Sequence, residues 1–235
     1  RAGAVEADGT ELGRNRLIAL AAAIAAEQAP HSTIVTDSVT SDQLTGFIEQ
    51  KLGCRHHRFK RGYKNVINEA IRLNKAGETC LLAMETSGHG AWQENYFLDD
   101  GAYLATKIVI RYAQLRRQGR TLADLLEGMR EPLEARELRF HLLPEDFKAA
   151  GAAVLAALEQ YAAGQTGWVP APHNYEGLRY SVPTQKGWFL LRMSLHDPLM
   201  PLNIESDCPG GAEEILRELT PFLKAQTVLD TVMLD

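Results

Sequence analysis

The run Glu85-Thr86-Ser87-Gly88-His89-Gly90 follows directly on the apolar stretch Cys80-Leu81-Leu82-Ala83-Met84. A carboxylate and a hydroxyl two residues apart can hold adjacent hydroxyls of a sugar. Glycines let backbone approach a ligand closely, and a histidine exchanges protons near neutral pH. In open α/β sheets, ligands bind beyond the carboxyl ends of the strands, so position alone makes this loop a candidate. The competing reading is a polar loop with a turn glycine and a surface histidine. A serine hydrolase would also use Ser87 and His89, but its nucleophile elbow needs Gly-x-Ser-x-Gly, and the sequence here is Thr-Ser-Gly-His-Gly.

A second group, Arg192-Met193-Ser194-Leu195-His196-Asp197-Pro198, ends the apolar run Trp188-Phe189-Leu190-Leu191. An arginine fork, a serine hydroxyl and a histidine can converge on a phosphate from a tight loop. A strand end with a solvated arginine is the alternative. Between Lys51 and Lys64 lie Arg55, Arg58, Lys60 and Arg61, interleaved with His56, His57, Phe59 and Tyr63. Such a mixture could bind single-stranded nucleic acid, draw in a small phosphoester, or form a solvated edge. His56 and His57 lack metal-ligand spacing, because on a strand they point to opposite faces. Asp99-Asp100-Gly101 suits a helix start, with aspartate capping free N–H groups, and Ser41 is read as another helix cap.

Positioning these groups requires regular elements. Helices are expected over Asn15–Gln28, from Ser41 with Leu44, Phe47, Ile48 and Leu52 on one face, through Val66, Ile67, Ala70 and Leu73, and over Asp99–Arg117. Strands are expected at Arg1–Glu6, closed by the turn Ala7-Asp8-Gly9-Thr10, at Thr33–Thr36, at His56–Phe59 and at Cys80–Met84, the last buried on both faces. Repeated strand–helix units imply a parallel sheet flanked by helices. After about Arg130 the pattern changes. A strand at Leu133–Leu143 and a helix at Glu145–Tyr161 precede Gly167–Pro172, which interrupts regular structure. Strands at Gly177–Ser181, Trp188–Ser194 and Pro201–Ser206 follow, then a helix carrying Ala212, Ile215, Leu216, Leu219 and Phe222. The expected fold is therefore α/β: a three-layer α/β/α domain at 1–130, then a smaller α+β domain with a mainly antiparallel sheet at 131–235.

Composition bounds the function. The 235 residues include 25 basic and 30 acidic side chains, for a net charge of −5, and 45% are apolar. That is ordinary globular composition, and its mild acidity argues against a general nucleic-acid binder. Cys54, Cys80 and Cys208 are odd in number and far apart, which fits neither a disulfide framework nor a zinc site and suggests a reducing compartment, cytoplasm or plastid stroma. The alanine-rich run Leu17–Ala26 is too short to span a bilayer, so no membrane partner is expected. Arg1 stands where a methionine would open a natural chain, which suggests a processed chain or a piece of a longer one.

Three blocks resemble the α-D-phosphohexomutases, the phosphoglucomutase and phosphomannomutase family: Met84–His89 with Asp99-Asp100-Gly101, Lys60-Arg61-Gly62-Tyr63-Lys64, and Arg192–Pro198. The resemblance covers essentially the whole chain and is to the third and fourth of four domains, in the type found in plants and algae. It implies that Glu85 and Ser87 contact sugar hydroxyls and that His89 lies near the reacting phosphate. Lys60, Gly62 and Lys64 would lie near the ligand. Arg192 and Ser194, with His196, would grip the phosphate that is not transferred, although Leu195 and His196 depart from the family's small residue and threonine. The family's phosphoserine loop has no counterpart here. Of its Asp-x-Asp-x-Asp-Arg magnesium loop only the arginine is matched, by Arg1, so the Mg²⁺ of the full enzyme would find no ligands in this chain.

The resemblance implies an intramolecular phosphotransferase acting on phosphorylated hexoses, with the missing N-terminal domains as partners and with this chain inactive alone. A non-catalytic phosphosugar-binding or regulatory module is the second reading. A single-stranded nucleic-acid binder using residues 51–64 is the third.

Overall fold

The computed structural model of the chain describes residues 1–5, 9 and 11–235. Apart from Gly9, the turn expected at 7–10 lies outside the described residues, as does the end of the first expected strand. Within that strand the structure differs: residues 1–4 are irregular, and Val5 makes only an isolated antiparallel bridge to Glu11. The chain divides into two compact units, Arg1–Glu131 and Pro132–Asp235.

The first unit is built on a four-stranded sheet of order β2-β1-β3-β4. Its strands are β1 (Thr33–Asp37), β2 (Arg55–Phe59), β3 (Cys80–Met84) and β4 (Gly90–Trp92). β1 runs parallel to β2 and β3, while β4 folds back antiparallel on β3. Alternation of side chains along a strand gives the sheet two apolar faces. Ile34, Leu82 and Met84 face one cluster with α1 (Arg14–Gln28), α2 (Asp42–Gly46) and α4 (Gly101–Arg117). Val35 and Ala83 face the other, against Val66, Ala70 and Leu73 of α3 (Tyr63–Lys75).

Helix α1 buries every residue from Leu17 to Ala25. Small alanines on all sides let neighbouring elements approach it closely, so it is a core helix with no solvent face. Ser41 caps α2 by accepting a hydrogen bond from the Leu44 amide, and the helix then widens into a π-helical turn at Phe47–Lys51. No helix of the described residues is long and apolar enough to cross a membrane.

The second unit is a five-stranded antiparallel sheet of order β5-β9-β8-β7-β6. Its strands are β5 (Glu134–His141), β6 (Val169–Pro170), β7 (Leu178–Val182), β8 (Gly187–Leu191) and β9 (Leu199–Ser206). α5 (Phe147–Ala163) and α6 (Gly211–Ala225) share one cluster with Phe140, Val182, Phe189, Leu191, Leu202 and Ile204. The expected third strand is shorter than the sequence pattern implied, because the chain leaves the sheet at Arg192 to form the loop of interest.

Candidate functional site

In the first unit, the ends of β1 and β3 and the start of α3 bring the sequence-selected residues together. Glu85 is buried, and its two carboxylate oxygens accept from different segments. Oε1 accepts from the Gly62 amide at 2.6 Å, and Oε2 from the Ser87 hydroxyl at 3.0 Å. The loop closes on itself, Glu85 N donating to His89 O and Gly88 N to Glu85 O. Gly62 has φ +113°, open to glycine alone, and this turns its amide at the head of α3 toward the carboxylate.

His89 sits in a second set of contacts. Its Nδ1 lies 2.6 Å from Asp99 Oδ2, and its Nε2 accepts from Arg1 Nε at 2.8 Å. These partners assign the proton to Nδ1 and leave Nε2 as the acceptor. Tyr63 stacks on the imidazole with ring centroids 4.9 Å apart. Asp99 therefore serves the histidine, and Asp100 alone caps α4, accepting from the Tyr103 amide. That hydrogen bond holds the Asp100 carboxyl below its ordinary range.

Of the other expected substrate residues, Lys60 and Lys64 are exposed, and Lys64 Nζ lies 5.9 Å from the Tyr63 ring centre. The basic run does not form one uninterrupted positive stripe. Lys51 pairs with Glu127, Arg55 with Glu78, Arg58 with Asp42, and Arg61 approaches Asp37. Those pairings already offset four of the run's six cations, which reduces the charge it could offer to phosphates, while Lys60 and Lys64 remain exposed. His57 is buried against Glu69, and its desolvation lowers the imidazole pKa. His56 points to the opposite face, between Thr36 and Thr45.

Two residues of this site escaped the sequence reading as site residues. Tyr63 belongs to the basic run and to the Lys60–Lys64 block, but neither gives it a role of its own. Asp37 is completely buried at the end of β1, accepting from the Thr86 amide at 3.3 Å and from the Thr86 hydroxyl at 2.7 Å. An acid directly after a buried β-branched strand was the available signal for Asp37.

In the second unit, Arg192 is buried where β8 ends, and its Nη1 lies 3.7 Å from Glu176 Oε1. Ser194 anchors the loop, its amide donating to Leu199 O, and its hydroxyl stands 3.4 Å from Asp197 Oδ2. His196 is exposed in the turn with Leu195 and Asp197. Arg192 and Ser194 thus have well-defined settings, and among the described residues no polar partner fixes His196 toward them. Two carboxylates, Glu176 and Asp197, stand beside the pair expected to meet an anion.

Among the described residues no group of three or more His, Cys, Asp or Glu side chains could hold a metal ion. These residues do not fit a Mg²⁺ cage, whose hard cation requires several oxygen ligands.

The family described as "Phosphoglucomutase/phosphomannomutase, alpha/beta/alpha domain III" matches residues 13–132. A phosphomannomutase/phosphoglucomutase of Pseudomonas syringae pv. tomato is 28% identical over 217 residues, covering 92% of this chain and 43% of the relative. The protein of that description from Pseudomonas aeruginosa PAO1 is 28% identical over 226 residues, covering 96% of this chain and 45% of the relative. The chain thus spans less than half the length of the curated relatives it matches, and these relatives are bacterial. Among solved structures, a phosphoglucomutase/phosphomannomutase family protein of Burkholderia thailandensis superposes with a TM-score of 0.73 at 22% identity, covering 95% of this chain and 44% of that one. An Aspergillus fumigatus N-acetylphosphoglucosamine mutase in complex with GlcNAc-6P and magnesium gives 0.59 at 12% identity, covering 95% and 46%. Both likenesses are of fold.

Proposed function

The chain belongs to the phosphoglucomutase/phosphomannomutase family, and we propose that it supplies the sugar-reading and phosphate-holding half of an enzyme interconverting hexose 1-phosphates and hexose 6-phosphates. One observation carries the reading: the Glu85 carboxylate is fixed at a strand's carboxyl end between the Gly62 amide and the Ser87 hydroxyl. A carboxylate offers about four acceptor positions. Two are used to orient it, and those remaining, with the Ser87 oxygen, suit neighbouring hydroxyls of a hexose ring. His89 stands in the same loop as the proton-exchanging group, its Nδ1 set by Asp99.

Arg192 and Ser194 are the proposed holders of the phosphate that is not transferred. A mutase must accept its bisphosphorylated intermediate in two orientations, so it needs recognition of ring hydroxyls together with a fixed anion grip. The phosphoserine and the Mg²⁺ ligands are assigned to N-terminal domains beyond this chain. The length of the relatives and the magnesium in the Aspergillus neighbour support that division. Within this chain the residues bind, orient and hold a proton, and none is given the phosphoryl transfer itself.

The test is calorimetry of this chain with glucose 1-phosphate. Weak binding is expected, weakened further about tenfold by Glu85→Gln and about tenfold by Arg192→Ala, the effect of losing one charge-assisted hydrogen bond. Equal heats from the wild type and both variants would refute the two anchors. Mutase turnover by this chain alone would refute the assignment of donor and metal elsewhere.

A further inference from the structure

The Glu85 loop is held from beneath by a residue that the proposed reaction does not use. Asp37 ends the central strand β1 and is fully buried, yet it carries an ionisable group. Both of its oxygens are directed at Thr86, the residue between the two sugar-reading side chains: Oδ1 takes the amide at 3.3 Å and Oδ2 the hydroxyl at 2.7 Å. The charged groups acting on it are Arg61, whose Nε stands 3.9 Å from Oδ2, and Glu85, whose negative charge opposes ionisation. Arg61 directly precedes Gly62, the residue whose amide fixes Glu85. Asp37 therefore lies between the two segments that build the sugar loop.

We infer that Asp37 is a positioning residue that latches the Glu85–Gly88 turn to the end of β1, and that ligand capture by this turn depends on Asp37 being ionised. An ionised carboxylate accepts from Thr86 twice and keeps Arg61 drawn toward the strand end. A protonated one has a donor where the Thr86 hydroxyl now donates, and it no longer attracts the guanidinium. The turn then loses its charge-assisted tie. Burial pushes the Asp37 carboxyl up to about 6, while the Thr86 hydrogen bonds and Arg61 act against the rise. The change thus falls in a range that a cell compartment can cross.

The latch can be read without ligand. Amide resonances of Thr86 and Gly62 in the 235-residue chain are followed by NMR from pH 5 to 8. A common step centred near pH 6 is expected in the wild type. It should vanish in Asp37→Asn, which keeps the shape and removes the titration, and shrink in Thr86→Val, which removes the hydroxyl alone. A wild type with no step, or a step unchanged in Asp37→Asn, overturns the latch.

The consequence for ligand rests on the proposed sugar site and is measured with glucose 1-phosphate at pH 5 and 7.5. Wild-type affinity should fall about tenfold more than that of Asp37→Asn on going to pH 5, a comparison in which the titration of the ester itself cancels. Identical pH dependence in the two proteins overturns the dependence of capture on Asp37. If neither protein binds the ester at any pH, the sugar site is refuted, and the amide step still decides the latch.

Discussion

At the scale of single residues, burial decides what an acid can do. Asp37 and Glu85 are both buried, but Asp37 spends its hydrogen bonds on one neighbour and stays strongly desolvated. Its pKa is raised from 3.8 to about 6, so the folded state binds its proton more tightly than the unfolded state does. The contribution to stability is unfavourable and is fully present above about pH 6. It declines as pH falls below about 6 and vanishes only below 3.8, where both states are protonated. The size of the shift corresponds to about 3 kcal/mol. Denaturant unfolding should therefore show the wild type losing up to about 3 kcal/mol relative to Asp37→Asn between pH 3 and pH 7.5. Parallel curves would contradict this. In the second unit Asp197 opposes the anion that Arg192 and Ser194 are proposed to hold, its Oδ2 standing 3.4 Å from the Ser194 hydroxyl. Asp197→Asn should tighten the binding of inorganic phosphate about two- to fivefold, as expected for one exposed charge. Unchanged or weaker binding would mean that this side chain supports the loop instead.

At the scale of elements, backbone geometry fixes where those residues can be. Gly177 has φ +59°, and a Cβ there would come within 2.2 Å of Leu191 O and 2.7 Å of Arg192 Cβ. The turn before β7 can lie against the end of β8 only because this position has no side chain. Gly177→Ala should cost about 2 kcal/mol or more and weaken phosphate binding as well, because the atoms displaced are Leu191 O and the Cα and Cβ of Arg192. Thermal unfolding and a phosphate titration check both, and an unchanged melting temperature would refute the steric argument. The same contrast explains what could be read in advance. Strands with a β-branched or unbroken apolar run, such as Thr33–Thr36 and Cys80–Met84, were legible, as was α2 from its Ser41 cap. β4 is only Gly90-Ala91-Trp92, and β6 is a dipeptide containing proline, so neither carries a period to detect. In the candidate site, Glu85, Ser87 and His89 could be grouped in advance because they are close in sequence. The ties Asp37 to Thr86 and Tyr63 to His89 join segments 49 and 26 positions apart, and only the folded sheet brings them together.

At the scale of the molecule, the chain consists of two units with separate interiors. The clusters around Ile34, Leu82 and Trp92 and around Val35, Val66 and Ala83 draw only on residues before Glu131, and the cluster around Phe189, Leu202 and Leu219 only on residues after it. Among the described residues each unit also completes its own sheet, and no strand of one pairs with a strand of the other. A unit of roughly 100 residues with its own core lies in the size range of independently folding domains. Cutting between Glu131 and Pro132 should therefore give two fragments that each unfold in a single sigmoidal transition. Their denaturant m-values should be smaller than that of an intact chain unfolding as one, in proportion to the surface each exposes. The fragment 132–235 should retain a phosphate titration that Arg192→Ala weakens about tenfold, and the fragment 1–131 should retain the amide step of Thr86. A fragment that melts gradually, or loses its titration when separated, would show that its loop is not built by its own unit, and the assignment of one recognition task to each unit would fail.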